Sequence, residues 1–101
     1  MPEQPRARLS TVMHSPNRLA ILGALRHVQQ ANFADLQEAL GLSTPELSRQ
    51  LGILEKDDLI EIAKFRERRH AVTRVRLSPT GRERFEEYLT ELRAIVRVDI
   101  P

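Results

Sequence analysis

At 101 residues the chain has room for one domain with one core, which sets a two-domain reading aside. It is 41% hydrophobic but only 4% aromatic, with no Trp, so aliphatic side chains on packed helices must make the core; the absence of Cys excludes disulfide frameworks, thiolate catalysis and thiolate metal sites. The formal charge of +2 is small, so its distribution along the chain carries more information than its sum.

Residues 1–8, with Pro2 and Pro5 and little hydrophobicity, read as a loose arm. They carry no apolar signal-peptide core, and the longest apolar run, Leu19 to Leu25, is far short of the roughly 20 residues of a membrane span. A cytoplasmic protein is expected. Leu9, Val12 and Met13 recur at helical spacing and predict a short helix over Arg6 to His14. Ser15 is placed to cap the next helix and Pro16 suits its first turn, with Leu19, Ile21, Leu22, Leu25 and Val28 as its apolar stripe. A polar stretch, Gln29 to Asn32, leads into a short helix from Phe33 with Leu36, Ala39 and Leu40 on its apolar side, closed by Gly41.

Ser43-Thr44-Pro45-Glu46 then reads as a capping box in which Ser43 accepts a first-turn N–H while Glu46 reaches back. The helix it opens buries Leu47, Leu51 and Leu54 and stops at Asp57-Asp58, with Asp58 taking a left-handed conformation. From Ile60 the pattern changes from helical repeat to alternation. Ile60 and Ile62, then Val75 and Leu77 between Arg74 and Arg76, predict a β-hairpin with its tip at Arg66 to Ala71. Ser78-Pro79 starts a last helix with Phe85, Tyr88, Leu89, Leu92, Ile95 and Val96 on its apolar side. The order is α-α-α-β-β-α after an N-terminal helical extension: mainly α with a small β-hairpin. Residues 9–96 form the domain and 97–101 a tail.

Two features of this order point to nucleic acid. Residues 59–78 concentrate Lys64, Arg66, Arg68, Arg69, Arg74 and Arg76 against only Glu61 and Glu67, so the positive charge lies on the hairpin. The hairpin follows two helices joined through Gly41-Leu42, the arrangement of a helix-turn-helix whose second helix enters the major groove. With Leu47, Leu51 and Leu54 facing the core, the opposite side of Thr44 to Lys56 presents Pro45, Ser48, Arg49, Gly52 and Lys56. Ser48 and Gly52 leave room for close approach, Arg49 suits bidentate pairing with a guanine, and Gln50 on the flank suits an adenine edge. Ser43 and Thr44 suit a phosphate at the helix N-terminus. Arg66, Arg68 and Arg69 suit the minor groove or the phosphates, and Arg74 and Arg76 either the DNA backbone or cross-strand pairing with Glu61 and Glu67.

The segments His14-Ser15-Pro16-Asn17-Arg18-Leu19-Ala20-Ile21-Leu22, Asn32-Phe33-Ala34-Asp35-Leu36, Leu47-Ser48-Arg49-Gln50-Leu51 and Leu77-Ser78-Pro79-Thr80-Gly81-Arg82 together resemble the compact winged helix-turn-helix regulators related to the MarR and ArsR families. The resemblance spans roughly Leu9 to Val96. It implies a prokaryotic transcription regulator that binds operator DNA as a homodimer, with the recognition helix at Thr44 to Lys56 and the wing at Phe65 to Val72. Asp58 stands where Gly is common and Ser78 where Thr is common, both mild departures.

Dimerisation is also expected from the residues, because the last helix carries a broader apolar stripe than a core of this size should need. Phe85, Tyr88, Leu92 and Ile95 follow a spacing suited to packing on a second subunit, with Leu89, Val96 and the N-terminal Leu9, Val12 and Met13 beside them. A crevice between such dimer helices and the DNA-binding part offers room for a small-molecule effector, although no residue cluster identifies one.

Other functions find less support. Glu83, Glu86, Glu87 and Glu91 fall on a charged face of the last helix, no Ser and His have nucleophile–base spacing, and no Gly-rich phosphate loop is present, so no enzyme is expected. His14, His27 and His70 lack ligand spacing, so neither a metal nor a cofactor is expected. The alternative is a winged helix that binds another protein instead of DNA; such a module should carry apolar residues at the tip, where this chain has arginines.

Overall fold

Pro16, Pro45 and Pro79 each stand in the first turn of a helix, and these three starts frame the fold. The computed structural model describes residues 10–97, in the order α1 (Pro16–Arg26), β1 (Ala31–Asn32), α2 (Phe33–Leu40), α3 (Thr44–Lys56), β2 (Ile60–Glu67), β3 (His70–Leu77) and α4 (Pro79–Val96). This is the expected mainly α architecture with a hairpin, plus one short strand. Residues 1–9, including Leu9 and most of the predicted first helix, lie outside the described residues, as does the tail beyond Arg97. What is described of that helix is a turn over 11–13, where the His14 N–H donates to the Ser10 carbonyl at 2.9 Å.

The helix ends match the sequence reading in part. Ser15 occupies the position before α1 in extended conformation, but its side chain makes no capping bond, and the helix ends at Arg26 rather than Val28, which is exposed. Gly41 closes α2 at φ +65°, and Asp58 does the same work after α3 at φ +59°. Ser43 caps α3 by accepting from the Glu46 N–H at 3.2 Å. The other half of the expected capping box is replaced: the Glu46 carboxylate turns toward Asn17, Arg49 and Gln50.

The sheet has the order β1-β3-β2, antiparallel throughout. β1 was expected as part of a polar connection; it pairs Ala31 with Val75 and Asn32 with Arg74, so the central strand is β3. In the hairpin Ile60 faces Leu77 and Glu67 faces His70, leaving a two-residue turn of Arg68 and Arg69, tighter than the predicted tip. Alternation puts Ile60, Ile62, Val75 and Leu77 toward the helices, with Lys64 and Thr73 continuing that side, and Glu61, Phe65, Glu67, Arg74 and Arg76 on the outer side.

The core gathers Ile21, Leu22 and Leu25 of α1, Leu36 of α2, Leu47, Leu51 and Leu54 of α3, and Leu59, Ile60, Val75 and Leu77 around the sheet. Met13, Phe85 and Tyr88 complete it, which corrects their expected place at a subunit interface. A chain with so few aromatic residues needs these large side chains to fill the space under α4: the Phe85 and Tyr88 rings stack with centroids 6.2 Å apart, and Tyr88 reaches His14 Nδ1 in a hydrogen bond of 2.7 Å. Burial raises the Tyr88 hydroxyl above the usual tyrosine range. Val12, Leu89 and Leu92 are half-buried against the core, Ile95 is half-buried, and Val96 is 74% exposed.

The junction of β3 with α4 is tightly bonded. Ser78 is buried; its hydroxyl accepts from the Gly81 N–H at 2.8 Å and donates to the Asp58 carbonyl at 2.6 Å, while its own N–H donates to the Leu59 carbonyl. Arg26 binds Glu86 through Nε and Nη2 at 2.6 and 3.0 Å, joining α1 to α4; this contact holds the Glu86 carboxyl below its ordinary range and takes it out of the purely solvated face expected for it. Among the described residues no helix is long and apolar enough to cross a membrane.

Candidate nucleic-acid interface

The outward face of α3 carries Pro45, Ser48, Arg49, Gly52 and Lys56, all exposed. A Cβ added at Gly52 would meet nothing within 4 Å, so the glycine is not required for packing and leaves the helix surface flat. Between this face and the hairpin runs an open crevice of about 380 Å³ lined by Ser48, Gly52 and Glu55 of α3, Lys64 and Thr73 of the strands and Phe33 of α2. Lys64, part of the basic block, joins the site through the strand alternation, which places it on the helix side with Ile62.

At the start of α3, Ser43 Oγ accepts from the Glu46 N–H and Thr44 Oγ1 accepts from Gln37 Nε2 at 2.8 Å. Acting as acceptors in these bonds, both hydroxyls keep their O–H to donate outward, which suits an anion at a helix N-terminus.

Arg49 has a 63% exposed side chain and is held by Glu46: Nε donates to Oε2 at 3.2 Å and Nη2 to Oε1 at 3.0 Å. Glu46 Oε1 also accepts from Gln50 Nε2 at 2.7 Å and Asn17 Nδ2 at 3.2 Å. These donors, Arg49 first, hold the Glu46 carboxyl down at about 2, so it remains ionised well into acid. The expected role of Gln50 is corrected here. Its side chain is only 3% exposed, and its amide is committed on both sides, accepting from Arg18 Nη1 at 2.8 Å while donating to Glu46. It cannot read an adenine edge from that position. The signal was present in the spacing, since residue 50 lies three after Leu47 and four before Leu54, inside the buried stripe. Asn17 and Arg18, which complete this cluster from α1, were not among the expected site residues.

The hairpin tip presents Arg66, Arg68 and Arg69, all exposed. Arg68 and Arg69 have φ of +49° and +70°, the signs of a two-residue turn that matches the twist of paired strands but usually takes Asn or Gly. Arg66 Nη2 donates to the Arg69 carbonyl at 3.0 Å, folding one arginine across the turn. Arg74 belongs elsewhere. Its Nη2 donates to Glu67 at 3.0 Å, its Nε to Asn32 Oδ1 at 3.3 Å, and its guanidinium lies 4.7 Å from the centre of the Phe65 ring, all on the outer side of the sheet away from α3. The cross-strand pairing that was the other expectation for it is present, as it is for Arg76 with Glu61 at 2.9 Å.

Residues 17–96 match the model of a family described as a winged helix DNA-binding domain. A transcriptional regulator homologue from Pyrococcus horikoshii OT3 superposes with a TM-score of 0.82 at 28% identity, over 86% of each chain. A MarR-family transcriptional regulator from Porphyromonas gingivalis W83 gives 0.68 at 18% identity, over 88% of this chain and 85% of that one. AbfR, solved in its overoxidized form bound to DNA, gives 0.73 at 14% identity, over 82% of this chain and 60% of its own. No curated protein matches the chain significantly in sequence.

Proposed function

The chain belongs to the winged helix DNA-binding domain family, and from that premise we propose that it is a transcriptional regulator of the MarR-like type that binds double-stranded DNA sequence-specifically as a homodimer. In this reading α3 lies in the major groove, with Arg49 toward a base edge and Pro45, Ser48, Gly52 and Lys56 along the groove. Ser43 and Thr44 donate to a phosphate, and Arg66, Arg68 and Arg69 neutralise phosphates or enter the minor groove. The observation that carries the reading is the exposed, small-residue face of α3 opening onto the same crevice as the cationic side of the hairpin. Helix and hairpin can thus address one duplex together.

The dimer contact is proposed on the far half of α4, where Leu89, Leu92, Ile95 and Val96 remain after the core has taken Phe85 and Tyr88. The crevice of about 490 Å³ between the turn at Ser10–Met13 and α4, bordered by Arg84 and Tyr88, is the place where a small-molecule effector would fit.

Selection of bound duplexes from random and genomic DNA, followed by titration at several salt concentrations, tests the proposal. The expected result is a palindromic motif whose affinity falls steeply with salt. The variant carrying Arg49→Ala, Arg68→Ala and Arg69→Ala together should lose at least about tenfold in affinity. Unchanged binding by that variant sinks the reading.

A further inference from the structure

We infer that Glu46 is a positioning residue for base recognition: it grips Arg49 by one edge of the guanidinium and presents the remaining edge to the DNA. The inference rests on the DNA-binding reading and adds to it the residue that sets Arg49's aim. The grip uses Nε and Nη2 of Arg49, the side-on edge. The Nη1/Nη2 end stays open, and that end forms the fork that matches the two acceptors of a guanine.

A surface carboxylate three residues from an arginine would ordinarily do little, because both side chains are mobile in water. Glu46 differs because it is itself fixed. Gln50 and Asn17 donate to its Oε1, and the buried Gln50 is locked in turn by Arg18, whose Nε donates to the Val12 carbonyl. The chain of bonds runs from the segment before α1, through α1, into the core side of α3 and out to Arg49. An arginine aimed by such a chain loses less freedom when it meets its base than one that swings free.

The negative charge has a second effect. Glu46 stands on the side that would face phosphates and weakens attraction to any duplex, whatever its sequence. Preorientation of Arg49 favours the right base and raises discrimination, whereas the repulsion acts on every duplex alike and lowers affinity without altering preference.

The test compares Glu46→Ala in the wild-type and Arg49→Ala backgrounds. Each protein is titrated against the selected duplex, a set with single base-pair changes, and a random duplex at one salt concentration, with thermal unfolding recorded alongside. Glu46→Ala is expected to lower discrimination about tenfold at one base pair, the one Arg49 reads, while affinity for random duplex holds or rises. In the Arg49→Ala background the same change is expected to leave that position's preference unaltered. Asn17→Ala, which removes one anchor of the carboxylate and leaves the α3 face untouched, should shift the same base preference by a smaller factor. A loss of discrimination spread over all positions, or one that persists without Arg49, would show a merely structural Glu46 and overturn the inference. Unchanged discrimination in Glu46→Ala overturns it alone, whereas a wild type without sequence preference overturns the DNA reading as well.

Discussion

Gly81 lies in the first turn of α4 against the backbone of Leu59, and a Cβ there would fall 1.9 Å from the Leu59 carbonyl oxygen. Backbone cannot swing aside as a side chain does, so Gly81→Ala must separate α4 from the start of β2. We expect a loss of about 3 kcal/mol in denaturant unfolding. Gly52→Ala, also in a helix but open to solvent, is the control and should gain about 0.5–1 kcal/mol. Equal effects of the two would mean that the contact with Leu59 does not govern. At this scale spacing is a better guide to orientation than side-chain type. Ser48, Arg49 and Gly52 stand outward as their spacing requires, whereas Gln50, polar in type, follows its position among Leu47, Leu51 and Leu54 and is buried. Glu46 was read as half of a capping box because the residues able to draw its carboxylate away, Asn17 and Arg18, come from a helix far off in sequence.

Helix starts were legible because a capping serine followed by proline is a local device, acting within one turn. β1 was not, since two residues contain no period and its pairing partners lie more than forty positions away. The apolar stripe of α4 is legible in its spacing, but its share in the core is not: a helix over a sheet with few other aromatic residues must spend Phe85 and Tyr88 inward. The hairpin carries its own test. Two consecutive arginines in left-handed conformation are a poor turn sequence, tolerated where a cationic tip is wanted. Arg68→Asn with Arg69→Gly should therefore raise stability by about 1 kcal/mol and make the salt dependence of DNA binding shallower by up to two ionic contacts. A variant that gained stability but bound DNA with an unchanged salt slope would remove the tip from the interface.

For the whole molecule, the end of α4 keeps apolar surface after folding: Ile95 is half-buried and Val96 is the most exposed large hydrophobic side chain among the described residues. Ile95→Glu together with Val96→Glu should shift a dimer to monomer in sedimentation while leaving the melting of the domain within a few degrees. It should also weaken binding to a palindromic site far more than to a half-site. A dimer that withstood both charges would place the subunit contact elsewhere.

Only Ser78 separates β3 from α4, and its bonds to Asp58, Leu59 and Gly81 brace that corner. Strand and helix therefore behave as the two arms of one bell crank. β3 is 8 residues long, an arm of about 26 Å, so a tilt of α4 by about 5° carries the arginine turn sideways by about 2 Å. That displacement is comparable to the reach of a hydrogen bond, so under the proposed DNA-binding function a small change in the pitch of α4 would be enough to move the tip on or off a phosphate.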